Sequence, residues 1–447
     1  MIRTKKGLKI PINGEPTTLI EKAKPARTVA VTGPDFVGMK PTMYVKEGEN
    51  VETGQKLFEC KKNPGLIFTS PVSGKILSIK RGLKRAFQTI EIQVGKSSHV
   101  VFQNYKKKHI ESYSQEDIKN LLIESGMWAS IRQRPFDIAP ALNSLPHSIF
   151  VSTLDTNPLA FQPKLFIKEK QEEFNAGLQV LSLLSQKNLY LCGDVSFLDT
   201  PDLKNIQKIN VEGIHPAGNI GTQVHFLEPV SLNKSIWHLG YQDVAAIGHL
   251  FKHGTLFTER WVSIAGPRAK KPRILITQCG ANLKEITEDE IEKPSSTRII
   301  SGSILNGRAL DDTFHFLGHF HTQISCIEED DSRVFLGWHS PGFNSYSQKN
   351  IYVSKLFPKR KFSLGSSTHG SPRALVPTGS FEEVTPMDIL PTQLLRALLS
   401  YDTDLAQELG CLDLAEEDLA LYTFVSNGKI DFGPIFRENL SKIEKEG

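Results

Sequence analysis

A multidomain protein that mixes α+β and α/β architecture is what the sequence predicts, and three observations lead there. The first hundred residues alternate short apolar runs with Gly and Pro and show no helical periodicity, as β structure does. Beyond them, strand-like runs alternate with helical stretches, the order of an α/β layer. A chain of 447 residues also exceeds what one hydrophobic core organises, so two to four domains are expected.

The first domain is expected over residues 1–100. From Tyr44 the chain reads YVKEGENVETGQKLFE, with Gly48 and Gly54 six residues apart and a Val ahead of each. Glycine at such turns supplies the positive φ that sharp hairpins need. After the tip KKNPG comes IFTSPVSGKILSI, then the strand TIEIQV, where Ile90, Ile92 and Val94 alternate with polar residues. These two halves resemble the biotinyl/lipoyl carrier domains, so a small barrel-sandwich hybrid is expected. Lys61 and Lys62 stand where a carrier presents its modified lysine, but the tip has neither an MKM nor a DKA sequence, and both read as solvated turn lysines.

Residues 100–113 are polar and basic, a linker. An α/β domain is expected over 114–262. Ser114 opens a helix with Asp117 completing its cap, Ile118, Leu121 and Leu122 on one face and Gly126 as the stop. SIFVS and NLYLCGD read as strands around a helical stretch at 174–184, and a helix over 241–252 places Val244, Ile247, Leu250 and Phe251 at helical spacing. Pro267 and Pro272 mark the next boundary, and RILITQCGANLKEIT followed by TRIISGSILNG suggests a β-grasp module over 272–380. The stretch TFHFLGHFHTQISCIEED is expected to extend its β structure. A helical region follows over 385–447, with Gly410 stopping the helix DTDLAQEL and Pro434 in the first turn of the last one.

Composition narrows the function classes. Lys plus Arg number 53 against 49 Asp plus Glu, spread along the chain, which does not favour nucleic acid as a partner. The five cysteines, Cys60, Cys192, Cys279, Cys326 and Cys411, include no CxxC pair to hold zinc or an iron–sulfur cluster, and an odd, sparse set fits a reducing cytosol. Pro11 and Asn13 interrupt the basic start before it reaches signal-peptide length, so no secretion is implied. Apolar runs fall well short of the roughly 20 residues that cross a bilayer, so membrane association is expected only through a partner.

Phosphate-loop, nucleophile-elbow, HExxH and GxGxxG patterns are all missing. One glycine and histidine cluster stands out, EGIHPAGNIGTQVHFLEPV, with His215, Gly218, Gly221 and His225. Its backbone amides can cradle an anion and its imidazoles can bind metal or shuttle a proton, but no carboxylate or cysteine completes a metal set, which favours a tight loop whose histidines bond the backbone. With Arg132, Arg134 and Phe136 it forms a candidate ligand or partner pocket. His315, His319 and His321 fall on one face of a strand by period two, where an exposed polar face is simpler than zinc. His249 and His253, at i and i+4, lack a third ligand and read as a solvated helix face.

Five stretches taken in order, KKGLKIPINGEP, KKNPGLIFTSPVSGKI, EGIHPAGNIGTQVHFLEPVSLNK, WHLGYQDVAAIGHLF and LGCLDLAEEDLALYTF, resemble the A-subunit family of the sodium-translocating NADH:quinone reductases. The resemblance runs from the first residues to the last helix. It implies a role in a complex that oxidises NADH, reduces ubiquinone to ubiquinol and exports sodium ions. It also implies a peripheral place on the cytoplasmic face of the bacterial inner membrane. There the chain would dock on the membrane-embedded B subunit, in a complex with the C to F subunits, and contribute to the quinone-reduction end. FMN, riboflavin, FAD and iron–sulfur centres would belong to those other subunits, leaving this chain without a tightly bound cofactor or catalytic centre. The α/β domain would be related to the complex I flavoprotein and the β-grasp module would be SLBB-like. In the related flavoproteins a loop of repeated glycines meets the flavin phosphate, whereas this chain reads GMWASIRQRPF there. Tyr422 and Ser426 stand where family members tend to carry cysteines. Two other readings remain: a flavin and iron–sulfur component of an active NADH dehydrogenase, and a carrier or scaffold protein on a lipoyl-like barrel.

Overall fold

The computed structural model describes residues 1–330 and 339–446; residues 331–338, within the third expected domain, and Gly447 lie outside the described residues. The barrel is built from two facing sheets. Strands Thr28–Thr32, Phe87–Val94, Gly74–Arg81 and Asn50–Val51 form one, and Pro41–Met43, Lys56–Cys60 and Ile67–Thr69 form the other. Gly48 and Gly54 both take positive φ, +88° and +89°, at the turns where the sequence calls for it. Ile90 and Ile92 point inward, as alternation requires.

Two segments ahead of the barrel strands leave it for distant sheets. Ile2–Arg3 pairs in parallel with Ile206–Glu212, and Ile20–Lys22 pairs in parallel with Arg273–Gln278. Strand pairing of this kind spans hundreds of residues, and no local pattern announces it.

The α/β layer is a six-stranded sheet in the order Ile2–Arg3, Ile206–Glu212, Leu189–Gly193, Ile149–Ser152, Ile236–Gly240 and Arg132–Arg134. Only the last strand runs antiparallel, at the edge, so Arg132 and Arg134 sit on a rim that another part of the chain can cover. Helix Gln115–Glu124 starts on the Ser114/Asp117 capping box and ends ahead of Gly126, at φ +80°. Helices Gln171–Leu184 and Tyr241–His253 pack together on glycine: a Cβ at Gly248 would stand 1.8 Å from the Glu173 carbonyl oxygen, and one at Gly177 1.9 Å from that of Val244.

A second six-stranded, mixed sheet carries Glu259–Ala265 beside Arg273–Gln278 and Gln323–Glu328. Its strand Gln323–Glu328 begins later than the sequence suggests. Residues 313–322 form no regular strand, so His315, His319 and His321 do not alternate along one face. A Cβ at Gly318 would stand 2.3 Å from His321 Nδ1, which shows how tightly the chain folds back there. The last region is helical, with Thr403–Glu408 capped by Asp402 and ending before Gly410, and with Pro434 in the first turn of Phe432–Glu446.

The hydrophobic interior crosses these boundaries. One buried cluster runs from Val29 and Phe58 of the barrel through Trp128, Phe174 and Trp237 to Trp261 and Ile274. A second joins Ile10 and Ile12 to the C-terminal helices through Phe381, Leu394 and Phe436. Continuous apolar packing holds the barrel, the α/β layer and the mixed sheet in fixed mutual positions.

Candidate functional site

The edge strand Arg132–Arg134 and the loop before helix Ile220–Leu227 do meet, at the first turn of helix Glu416–Val425. Arg134 is wholly buried. It donates from Nη2 to Glu417 at 3.0 Å, and from Nη1 to Asp418 at 3.2 Å and to the Asp413 carbonyl at 3.3 Å, while Nε lies 3.4 Å from Asp137. A guanidinium stays charged when buried, so carboxylates must replace the water it loses. Arg132 donates to Asp137 at 3.2 Å, and its guanidinium lies 4.5 Å from the centre of the Phe320 ring.

Burial pushes His238 down to about 3, aided by Arg132, so the neutral ring donates from Nε2 to Asp137 at 2.8 Å. Burial pushes the Glu417 carboxyl up to about 7, opposed by Arg132 and reinforced by Asp418.

The glycine loop finds its anion within the chain. Asn219 donates to Asp418 Oδ1 at 3.2 Å, and a Cβ at Gly221 would stand 2.3 Å from Asp418 Oδ2. His225 donates from Nδ1 to Asp413 at 3.1 Å and accepts at Nε2 from the Asp388 N–H at 3.2 Å. Phe136, at φ +82°, offers its carbonyl to Arg437 Nη1 at 2.6 Å. His215 and Gly218 lie apart, beside Thr156: His215 Nδ1 is 3.3 Å from its hydroxyl, and the Gly218 N–H donates to it at 3.0 Å. Burial pushes His215 down to about 4. The expected ligand space between the arginines and the loop is therefore filled by the C-terminal helices. Tyr422 and Ser426 belong to the same clasp; the Tyr422 hydroxyl bonds Thr385 at 2.9 Å, and the Ser426 hydroxyl accepts from the Ile430 N–H at 3.3 Å.

Open space lies elsewhere, at the junction of barrel, α/β layer and mixed sheet. A cavity of about 90 Å³ is walled by Phe36, Phe68, Met127, Leu256, Phe257 and Leu317, with Asp35, Ser130, Asp243, Arg260 and His319 as polar lining. Asp35 follows the barrel strand Thr28–Thr32, Ser130 follows the turn after Gly126, and Asp243 and Arg260 come from the closing helix and the first strand of the mixed sheet. Arg260 pairs with Asp243. His319 shares a 2.9 Å hydrogen bond with Ser130 through Nε2, and its backbone N–H donates to Asp35 at 2.9 Å. Burial pushes the His319 ring down to about 4. Two lining residues carry buried polar atoms without a partner, Thr32 Oγ1 and Arg260 Nε.

His319 and His321 thus turn inward, to Ser130 and Ser301, instead of forming an exposed polar face. Sequence reasoning missed this cavity because its polar lining comes from all three regions. The one visible trace was the GMWAS stretch, where Gly126 and Ser130 do line the space. His249 and His253 are joined by Glu173 from the neighbouring helix.

Comparison with known proteins matches three family descriptions along the chain: an NqrA N-terminal barrel-sandwich hybrid domain over residues 2–95, an NqrA second alpha/beta domain over 113–256, and an NQRA C-terminal domain over 261–312. The A subunit of the Na(+)-translocating NADH-quinone reductase of Hahella chejuensis is 47% identical over 448 residues, covering 100% of both chains. Its counterpart in Cellvibrio japonicus is 46% identical with the same full coverage. Among solved structures, an NAD+-reducing [NiFe]-hydrogenase in the air-oxidized state aligns with 78% of this chain and 68% of that chain at 12% identity, with a TM-score of 0.39, too slight a likeness to carry an argument.

Proposed function

This chain belongs to the A-subunit family of the Na(+)-translocating NADH-quinone reductases, and on that premise we propose that it serves the quinone-reduction end of the complex through its junction cavity. Among the described residues no helix is long and apolar enough to cross a membrane, so the reading has the chain held at the cytoplasmic side by the membrane-embedded B subunit. Flavins and iron–sulfur centres are assigned to the other subunits.

The observation that carries the proposal is the pair of unpartnered polar atoms, Thr32 Oγ1 and Arg260 Nε, in residues that line an aromatic-walled cavity. A quinone head is a flat apolar ring with two carbonyl acceptors. Aromatic walls take the ring, and the polar side chains of the lining are the candidates to bond the carbonyls. The arginines and His225 are already paired with carboxylates, which leaves the cavity as the place for the ligand.

The test is kinetic, on the assembled complex. Thr32→Val in this chain keeps the side-chain volume and removes the hydroxyl. Quinone reduction is expected to show a raised KM for ubiquinone, while electron transfer from NADH to an artificial acceptor stays unchanged. An unaltered KM in both Thr32→Val and Ser130→Ala complexes overturns the cavity assignment. Membrane attachment is tested separately: without the B subunit, the chain should leave the membrane fraction, and retention there refutes the docking.

A further inference from the structure

We propose that Glu173, His249 and His253 form a binding site for a borderline divalent metal ion, Zn2+ by preference, on the outer side of the α/β layer. His249 and His253 stand one turn apart on helix Tyr241–His253 and therefore share a face. Glu173 reaches them from helix Gln171–Leu184, and one ligand atom from each of the three lies within 4.8 Å of the others. Tetrahedral zinc with bonds of about 2.0–2.1 Å sets its ligands roughly 3.4 Å apart. Side-chain rotation closes the remaining distance, because the backbones are already in place.

The backbone placement is fixed by the two glycines. At Gly248 the helices touch so closely that a Cβ would stand 1.8 Å from the carbonyl oxygen of Glu173 itself. The pair of helices that supplies the ligands is thus the most tightly joined in the layer, a rigid platform of the kind metal sites need. Competing charges are also engaged elsewhere. Lys252 pairs with Glu172 at 2.8 Å and Lys170 lies 3.7 Å from Glu259, while the Glu173 carboxylate makes no ion pair among the described residues.

Two imidazoles and a carboxylate suit zinc, cobalt or nickel and leave a coordination position for water, whereas calcium and magnesium ask for oxygen ligands. Metal here would staple the two helices together. His249 Nε2 also lies 3.3 Å from the Thr255 hydroxyl, so the staple reaches the loop whose Leu256, Phe257 and Thr258 line the junction cavity.

The experiment uses the full chain, stripped of metal by chelator, with Zn2+ titrated by calorimetry and Co2+ by visible absorbance. One equivalent should bind with micromolar affinity or better, and Co2+ should show the ligand-field bands of a low-coordinate site that Zn2+ displaces. H253A and E173Q should each weaken binding about tenfold or more and abolish the rise in melting temperature that Zn2+ gives the parent chain. His253 is exposed, so its replacement leaves the fold intact. Absence of a saturable equivalent, or binding that survives both substitutions, overturns the site.

Discussion

Arg134 and Arg260 are both buried arginines that answer an aspartate, yet they sit in opposite kinds of place. Around Arg134 the chain has gathered Asp137, Glu417, Asp418 and the Asp413 carbonyl, and the C-terminal helices close over them. Around Arg260 one aspartate, Asp243, supplies the ion pair, and the residue borders open space; the Nε atoms of both arginines lack a hydrogen-bond partner. A cation whose charge the fold has fully answered is a structural joint. One answered by a single carboxylate beside a cavity is where a ligand has something to gain.

The largest expected effect breaks the joint. Arg134→Ala leaves the buried Asp418 and the partly buried Asp137 and Glu417 around a missing cation, and removal of one partner from a buried cluster costs about 3–5 kcal/mol. Chemical denaturation of the purified chain should register that loss, with the C-terminal helices freed first in hydrogen exchange. A loss below about 1 kcal/mol would place Arg134 with the weak surface pairs and undo the contrast.

Acid should act next, through histidines buried in neutral form. Burial holds His238 down to about 3 and His215, His319 and His321 down to about 4, all below the roughly 6.5 of an unfolded chain. A depressed folded value means that the unfolded chain takes up the protons. Their contribution is present above pH 6.5 and is lost as pH falls toward 4. Glu417, raised to about 7, contributes the other way: its stabilisation is full below the unfolded carboxyl value and lost as pH rises through 7. Burial raises Asp155 and Asp418 as well, against the histidines, while His249, held down to about 4, and His315, also lowered by burial, act with them. Stability should fall as pH drops from about 6.5 to about 4.5. Urea melts across that range check it, and a flat profile would mean that the histidines gain solvent.

These groups also mark what could be read from the sequence. The Ser114/Asp117 cap, the turns at Gly48 and Gly54, and the inward Ile90 and Ile92 depend on neighbours within a few positions, and local pattern exposes them. Arg134 and its partner Asp418 are separated by 284 positions, so nothing near Arg134 shows that its charge is spent. The acidic run Glu416, Glu417 and Asp418 at a helix start was visible, but its partner was not. Period two put His315, His319 and His321 on a strand face, and the tight turn at Gly318 overrode it. The cavity and the third ligand beside His249 and His253 exist only once separate elements pack.

A smaller effect sharpens the cavity side. Thr32→Val removes a buried hydroxyl that has no protein partner, so the isolated chain should keep its stability or gain up to about 1 kcal/mol. Thermal melts of the parent and variant chains decide it. A clear loss would reveal a hydrogen bond inside the protein, and the free donor would then be no invitation to a ligand.

The smallest expected effect is no change at all, and it concerns the barrel that supplies Thr32, Asp35, Phe36 and Phe68 to the cavity. A carrier barrel must swing its modified lysine between sites, whereas a barrel that forms a cavity wall must stay where it is. The tip that holds Lys61 and Lys62 is anchored in the second manner. The Lys61 N–H donates to the Lys40 carbonyl at 2.7 Å, and Asn63 donates across to the Pro140 carbonyl at 3.0 Å. A Cβ at Gly65 would stand 2.8 Å from the Leu142 side chain, so the turn lies directly against the α/β domain. A long biotinyl or lipoyl arm at either lysine would start from a fixed tip with little freedom to travel, and the residues flanking these lysines lack the pattern that marks a modified one. Intact-mass measurement on the chain purified from its own cell should therefore give the bare polypeptide; a mass increment on the peptide carrying Lys61 and Lys62 would turn the barrel from a wall into a carrier and take the cavity assignment with it.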